Sequence, residues 1–311
     1  MLKRKAKRKI FITTFVLLIL LSIYLIPSNI TSNKSRNIVK YSKPMDISIY
    51  LVNESSQLTK VNFKVKNEDL NTTIKDIINK LTIGGDSTVP DGLYGLIPKN
   101  IELIDVNVDE NIAYLNFSKG FLDIDHQEIE KIVESISFSI LELEGVNGVV
   151  IYVEGDNISR LFPKNIPDII TKEYGINKRV ELKNFIDISK IVIYYISNID
   201  DKTYYVPITK YVNDKREKVK IIIDELSSNY IFEPNLISLL DKNIELISYE
   251  IKNDSMILNF NNSIFMDKDS ILEEVVYSIS YSVFSSYDNV QEVVFKVGEK
   301  EICKKNVKNV E

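Results

Sequence analysis

Apolar and polar positions alternate through residues 100–117 (N-I-E-L-I-D-V-N-V-D-E-N-I-A-Y-L-N-F) in two runs around the polar turn Asp109-Glu110-Asn111. A period of two with one apolar face marks a strand, and two such runs about a short polar turn predict a β-hairpin. The pattern returns 143 positions later in residues 243–260, turning at Lys252-Asn253-Asp254. I-E-L-I at 101–104 recurs at 244–247, and L-N-F at 115–117 recurs at 258–260, at one offset without a gap. On either side the period becomes helical. Ile74, Ile77, Ile78 and Leu81 predict a helix over about 72–81, with Asn71 or Thr72 as its N-cap, and Val219, Ile222, Ile223 and Leu226 repeat that spacing. A second stripe, Ile129, Ile132, Val133, Ile136 and Ile140, is matched position for position by Leu272, Val275, Val276, Ile279 and Val283. Strand patterns at 47–52 and 58–65, with counterparts at 191–196 and 204–212, precede each unit. Apolar runs at 149–153 and 293–297 close it.

The order ββαββαβ therefore occurs twice, which predicts an α+β protein of two tandem two-layer sandwiches, each with its helices on one face of a mixed sheet. The domains are expected at 46–155 and 190–298, with 299–311 as a polar tail. Residues 156–189 link them and hold Pro163 and Pro167, with a short helix near 169–174. This linker is too rich in Ile, Leu, Phe and Tyr to run free, so it is expected to be partly packed and to hold the domains rigidly.

Six basic residues (Lys3, Arg4, Lys5, Lys7, Arg8, Lys9) precede the uncharged, mostly apolar run 11–26, which ends at Pro27. With Ile10 the run reaches the lower limit for a transmembrane helix, and its basic flank predicts a cytoplasmic N-terminus and an extracytoplasmic body. Residues 28–32 offer no clean small-x-small cleavage site, so 1–30 reads as a basic stub plus signal anchor, with a cleaved signal peptide as the alternative. No Cys stands there to accept a lipid. Residues 31–45 read as a polar tether.

The net charge of −5 conceals an acidic body: without the basic head, 33 basic residues face 44 acidic ones. Such a balance argues against nucleic-acid binding, which needs a positive footprint.

Candidate chemistry is sparse. Gly84-Gly85-Asp86-Ser87 lies in a glycine-rich connection over 82–100, but it follows a helix rather than a strand and lacks the phosphate-loop Lys. It reads as a helix end plus surface turns. His126, the only histidine, stands beside Asp123 and Asp125 at a helix start, without a zinc-binding spacing. Cys303 is the only cysteine, so no internal disulfide forms. Asp105, Asp109 and Glu110 could pair with Asp123 or Asp125 for glycan hydrolysis. The second copy, however, has Ser248, Lys252 and Asn253 at the first three positions. Ser135, Ser137 and Ser139 recur as Ser278, Ser280 and Ser282, and read as small residues that permit close helix packing. With no nucleophile, base and orienting group in sight, no catalytic, cofactor or metal site is expected.

The ordered set Leu81 with Gly84-Gly85, I-P-K-N-I-E-L at 97–103, A-Y-L-N-F-S at 113–118 and G-V-N-G-V leading to Gly155 resembles GerM-type sporulation and spore-germination proteins with two GerMN domains. The second copy keeps the hairpin and the run 290–297 but lacks the Gly and Pro positions. The likeness spans about 46–298. It implies an extracytoplasmic protein of a spore former, facing the space between mother cell and forespore. There it would support assembly of a channel or ring complex through protein partners. Members of that group are often lipoproteins, from which this chain departs. The expectation is a membrane-anchored, non-enzymatic scaffold or assembly factor. The alternatives are a module binding cell-wall glycan or peptide through the loop around Leu93-Tyr94, and a wall hydrolase using Asp123 or Asp125.

Overall fold

The computed structural model describes residues 4–25, 45–65, 69–162, 166–228, 231, 233–267 and 269–307. The chain divides into two units, Met1–Tyr41 and Ser42–Glu311. Residues 31–44 of the expected tether and the end of the predicted run at Ile26 and Pro27 lie outside the described residues, and Met45 already begins a strand.

In the first unit, α1 (Arg4–Leu25) is a single helix, and Phe11, Phe15, Leu17 and Leu18 are exposed along it. Its uncharged stretch, residues 10–25, is about 24 Å long at 1.5 Å per residue, against about 30 Å for a bilayer core. Among the described residues no helix is long and apolar enough to cross a membrane, which corrects the expected transmembrane span.

The second unit opens with the hairpin β1 (Met45–Asn53) and β2 (Leu58–Val65), followed by α2 (Leu70–Leu81). The cap of α2 is Asp69, whose carboxylate accepts from the Thr72 N–H and hydroxyl, so the helix starts before the expected Asn71 or Thr72. The glycine-rich connection contains β3 (Leu93–Tyr94), which leads to the hairpin β4 (Leu103–Asp109) and β5 (Ile112–Phe117). Next come α3 (His126–Leu141), β6 (Gly148–Val153), β7 (Asp156–Asn157), α4 (Ile158–Leu161) and β8 (Arg179–Glu181). The second copy then runs β9 (Ile188–Ile199), β10 (Lys202–Asn213), α5 (Lys218–Leu226), β11 (Leu246–Lys252), β12 (Ser255–Phe260), α6 (Glu273–Ser286), β13 (Glu292–Val297) and β14 (Lys300–Asn306).

The repeated stripes bury as their periods require. Ile74, Ile77, Ile78 and Leu81 of α2, and Ile129, Ile132, Val133, Ile136 and Ile140 of α3, enter one core with Ile47, Ile49 and Leu51 of β1. Leu115 and Phe117 of β5 and Ile151 of β6 join them. The second copy builds an equivalent core from β9, α5, β12, α6 and β13.

The sheets depart from the expected single mixed sheet per copy. β4-β5-β6-β7 and β11-β12-β13-β14 are separate four-stranded sheets, with β5/β6 and β12/β13 parallel. The first hairpins join each other instead: β2 meets β10 at Lys60 and Tyr205, giving one six-stranded sheet that runs through both copies. β9 covers one edge of β10 along its length, while β2 and then β8 occupy the other. The linker supplies β7, α4 and β8 and buries Ile158, Ile166, Ile170 and Ile176. Near 169–174 it forms a 3-10 turn at Lys172–Tyr174. The expected polar tail contains strand β14 over Lys300–Asn306, antiparallel to β13, because alternate residues Cys303 and Lys305 pack inward.

Candidate functional site

The polar chemistry of the molecule gathers where the two copies meet. β2 and β10 are hydrogen-bonded neighbours at one residue pair only, since Pro207 on β10 has no N–H to donate to the next position. The side chain of Asn177, from the linker, fills that gap. Its Oδ1 accepts from the Leu58 N–H at 3.0 Å, and its Nδ2 donates to the carbonyls of Leu58 and Pro207, both at 2.8 Å. One amide thus replaces a missing peptide group of the ladder. Asn177 holds φ +47°, a left-handed conformation that Asn tolerates better than most residues.

On one side of this seam, Tyr50 of β1 and its counterpart Tyr194 of β9 bring their hydroxyls to 3.3 Å. Lys60 pairs with Glu142 at 2.9 Å, and the Tyr50 hydroxyl donates to the same carboxylate. Tyr194 stacks on Tyr281 at 5.1 Å, and the Lys60 Nζ lies 4.6 Å from the Tyr281 ring centre. Burial works to lower the Lys60 pKa, but Glu142 and the tyrosines outweigh it and the net shift is upward. Burial likewise works to raise Glu142, but Lys60 and Lys172 outweigh it and the net shift is downward. Both shifts favour the charged pair. A cavity of about 220 Å³ opens beside it, lined by Asp46, Ser48, Lys60, Glu142, Lys172 and Tyr281.

On the other side, Lys178 bridges Glu130 and Glu134, and the Arg179 Nε donates to Glu233 at 2.8 Å. Burial pushes the Glu134 pKa up, against Lys178 and the Asn177 N–H that donates to it. These groups line a groove of about 360 Å³ with Gln127 and Lys131, and the Lys131 ammonium donates to the Ser56 carbonyl. The charges in the groove pair with one another across the seam.

The paired serines have a different task from the one expected of them. Beyond β1 the shared sheet has only the two-residue β3, paired at Val52 and Asn53, and β9 is the outer strand at the other end; helices lie along both β1 and β9. The Tyr50 N–H donates to Ser139 Oγ at 2.9 Å, and Ser135 Oγ donates to the Tyr50 carbonyl at 2.7 Å. In the second copy the Tyr194 N–H donates to Ser282 Oγ at 2.8 Å, and the Val192 N–H to Ser286 Oγ at 2.9 Å. The hydroxyls take the place of a neighbouring strand on each open edge. Ser137 and Ser280, between them in sequence, are buried without such a bond.

The residues weighed for catalysis are scattered. His126 stands at the start of α3 with its ring 5.2 Å from Phe162, and Asp125 caps that helix through the Gln127 N–H. Asp123 is exposed at the end of a 3-10 turn, Asp105 is exposed on β4, and Glu110 and Asn111 form the hairpin turn with positive φ. Cys303 is half-buried opposite Phe295, and burial pushes its thiol up, which disfavours the thiolate. Asp86 is held by Lys80 and Thr88, and its carboxyl drops to about 2. In the glycine-rich loop Leu93 is buried and Tyr94 exposed. No group of three His, Cys, Asp or Glu is placed to hold a metal among the described residues. Sequence reasoning missed Asn177 and the Lys60–Glu142 pair, because neither recurs in the other copy. The one available signal was Pro207 inside a strand pattern, where a ladder bond must fail.

The profile of the Germane family, described as sporulation and spore germination, matches residues 48–159 and again 192–303. The spore germination protein GerM of Bacillus subtilis is 26% identical over 243 residues, covering 74% of this chain and 65% of that protein. This chain thus spans just under two thirds of that relative's length. The solved tandem GerMN domains of the Bacillus subtilis sporulation protein GerM superpose with a TM-score of 0.74 at 22% identity, over 83% of this chain and 92% of that one. The shared sheet, the duplicated cores and the double match agree: the chain belongs to the Germane family of sporulation and spore germination proteins, with two GerMN domains in tandem.

Proposed function

We propose that the chain is a non-enzymatic scaffold or assembly factor of an envelope complex, needed for sporulation or germination and working outside the cytoplasmic membrane through protein partners. The observation that carries this reading is the locked seam. Its polar side chains are spent on joining two copies into one body, with Asn177, Lys60–Glu142 and the edge serines all in structural bonds. A rigid double module suits holding partners at a fixed spacing. The basic head and α1 support export, since a positively charged stretch followed by an apolar helix is the order of a signal segment. Deleting the gene and counting heat-resistant, germinating spores tests the role. The reading predicts a defect restored by wild type and by His126→Ala, and not by Asn177→Ala. Normal spore numbers in the deletion strain would end it.

A second reading, binding of wall glycan or peptide, is favoured by a cleft of about 390 Å³ beside the glycine-rich loop, lined by Asn53, Asp91, Gly92, Asn198 and Asn235. Pull-down on purified peptidoglycan separates the two readings, since the scaffold alone predicts no retention.

A further inference from the structure

We propose that the chain binds a second copy of itself head to tail, with strand β4 of one molecule pairing edge to edge with strand β14 of the next. The inference deepens the scaffold reading and rests on it for its biological setting. It starts from which strand edges stay open. In the first copy's four-stranded sheet, the edge beyond β6 is taken by the linker: β7 pairs with β6, and Ile170 exchanges both main-chain hydrogen bonds with Val149. That leaves β4, which pairs only with β5 among the described residues. In the second copy's sheet the chain does not turn away after β13. It adds β14, which pairs only with β13 among the described residues. Each open strand presents a row of main-chain N–H and C=O groups to any strand that fits.

Charge decides which strand fits. β4 carries Asp105 and Asp109, flanked by Glu102 and Glu110, with no basic residue between them. None of these four carboxylates has a cation within ion-pair distance among the described residues. β14 carries Lys300, Lys304 and Lys305 against the single Glu301. Lys300 and Lys304 are more than half exposed and engage Asp269 and Glu292 at the surface, where such pairs are weak and exchangeable. Like edges repel: β4 against β4 brings carboxylates together, and β14 against β14 brings ammonium groups together. β4 against β14 attracts. The other exposed hairpin edge, β11, is the counterpart of β4, but it carries Lys252 as well as Glu250 and so lacks the one-sign charge of β4. The acidic edge is thus in the first copy and the basic edge in the second. A contact between unlike surfaces on identical chains is heterologous, so each molecule keeps one free edge of each kind and the array can extend.

The test is sedimentation velocity of the full-length chain in mild non-ionic detergent, which shields the apolar side chains of α1, at about 50 mM and about 500 mM salt, since screening weakens exposed charge pairs. Wild type is expected to self-associate at low salt and to weaken roughly tenfold at high salt. The pair Asp105→Lys with Asp109→Lys makes both edges basic, and the pair Lys300→Glu with Lys304→Glu makes both acidic. Each double variant alone is expected to stay monomeric. Their equimolar mixture is expected to associate again, which a misfolded variant could not do. A wild type that stays monomeric at low salt, a double variant that associates as wild type does, or a mixture that stays monomeric would each overturn the pairing. Such a result leaves the sporulation role intact if the deletion strain still fails to form spores, so the two failures are distinguishable.

Discussion

Asn177 satisfies three main-chain groups with one amide, and two of the strands it serves belong to different copies. Replacing it by Ala leaves the Leu58 N–H and two carbonyls without partners inside the sheet. Unmade bonds of this kind cost about 1–3 kcal/mol each before water or relaxation offsets them, so Asn177→Ala should destabilise the chain by about 2–3 kcal/mol in urea unfolding. The Lys60–Glu142 pair behaves differently because it titrates. The side chains are 10% and 19% exposed, and both shifts favour the charged forms. With its folded pKa lowered, Glu142 contributes stability above its unfolded value near 4.3, and that contribution is lost as pH falls through the folded value. With its folded pKa raised, Lys60 contributes below its unfolded value near 10.4 and loses the contribution only as pH rises beyond it. Glu142→Gln leaves the Lys60 charge without its carboxylate and should cost about 3 kcal/mol at neutral pH. The gap to wild type should begin to narrow below the unfolded carboxylate value near 4.3 and close as pH falls through the lowered folded pKa of Glu142. A gap that stays constant down to pH 3 would show that the charge of Glu142 contributes nothing.

At the scale of elements, the hairpins, both helices of each copy and the closing strands were legible because periods of two and 3.6 report which face is buried. The repeat doubled that signal: a stripe such as Ile129 to Ile140 reappears on α6. Three features were not legible for stated reasons. α1 keeps a helical apolar run, but the run sits at the lower length limit and reads as a transmembrane anchor in the sequence, whereas no described helix is long and apolar enough to cross a membrane. β14 reads as polar because, on an edge strand, most side chains face water. The serines of α3 and α6 read as packing because a hydroxyl placed along an open strand edge has no period of its own. Their role predicts a specific effect. Ser139→Ala should speed amide hydrogen exchange at Tyr50 about fivefold and leave Tyr194 unchanged, and Ser282→Ala should do the reverse; loss of one such bond is worth about 1 kcal/mol. Equal protection in wild type and variant would show that the hydroxyls do not close these edges. The glycine-rich loop carries one further constraint. A Cβ at Gly95 would meet the Leu81 carbonyl oxygen at 2.4 Å and the Thr82 carbonyl oxygen at 2.8 Å. Neither is the end of a flexible side chain, so Gly95→Ala should lower thermal stability by several degrees in a melting scan.

At the scale of the molecule, two copies of one unit have merged their first hairpins into a single sheet while keeping separate cores. The sequence shows two domains plainly. It does not show the merger, because the join consists of one ladder pair, a linker amide and a few side chains that differ between the copies. Tyr50 and Tyr194 are the exception: equivalent residues that meet at the seam. The candidate site was hidden for the same reason, since the repeat draws the eye to what both copies share and the seam is built from what they do not. The scaffold reading and the head-to-tail pairing both require that the copies move as one body. Differential scanning calorimetry of the chain measures this most directly. The seam predicts one endotherm for both copies, with calorimetric and van't Hoff enthalpies in agreement. Two resolved endotherms, one for each copy, would contradict it.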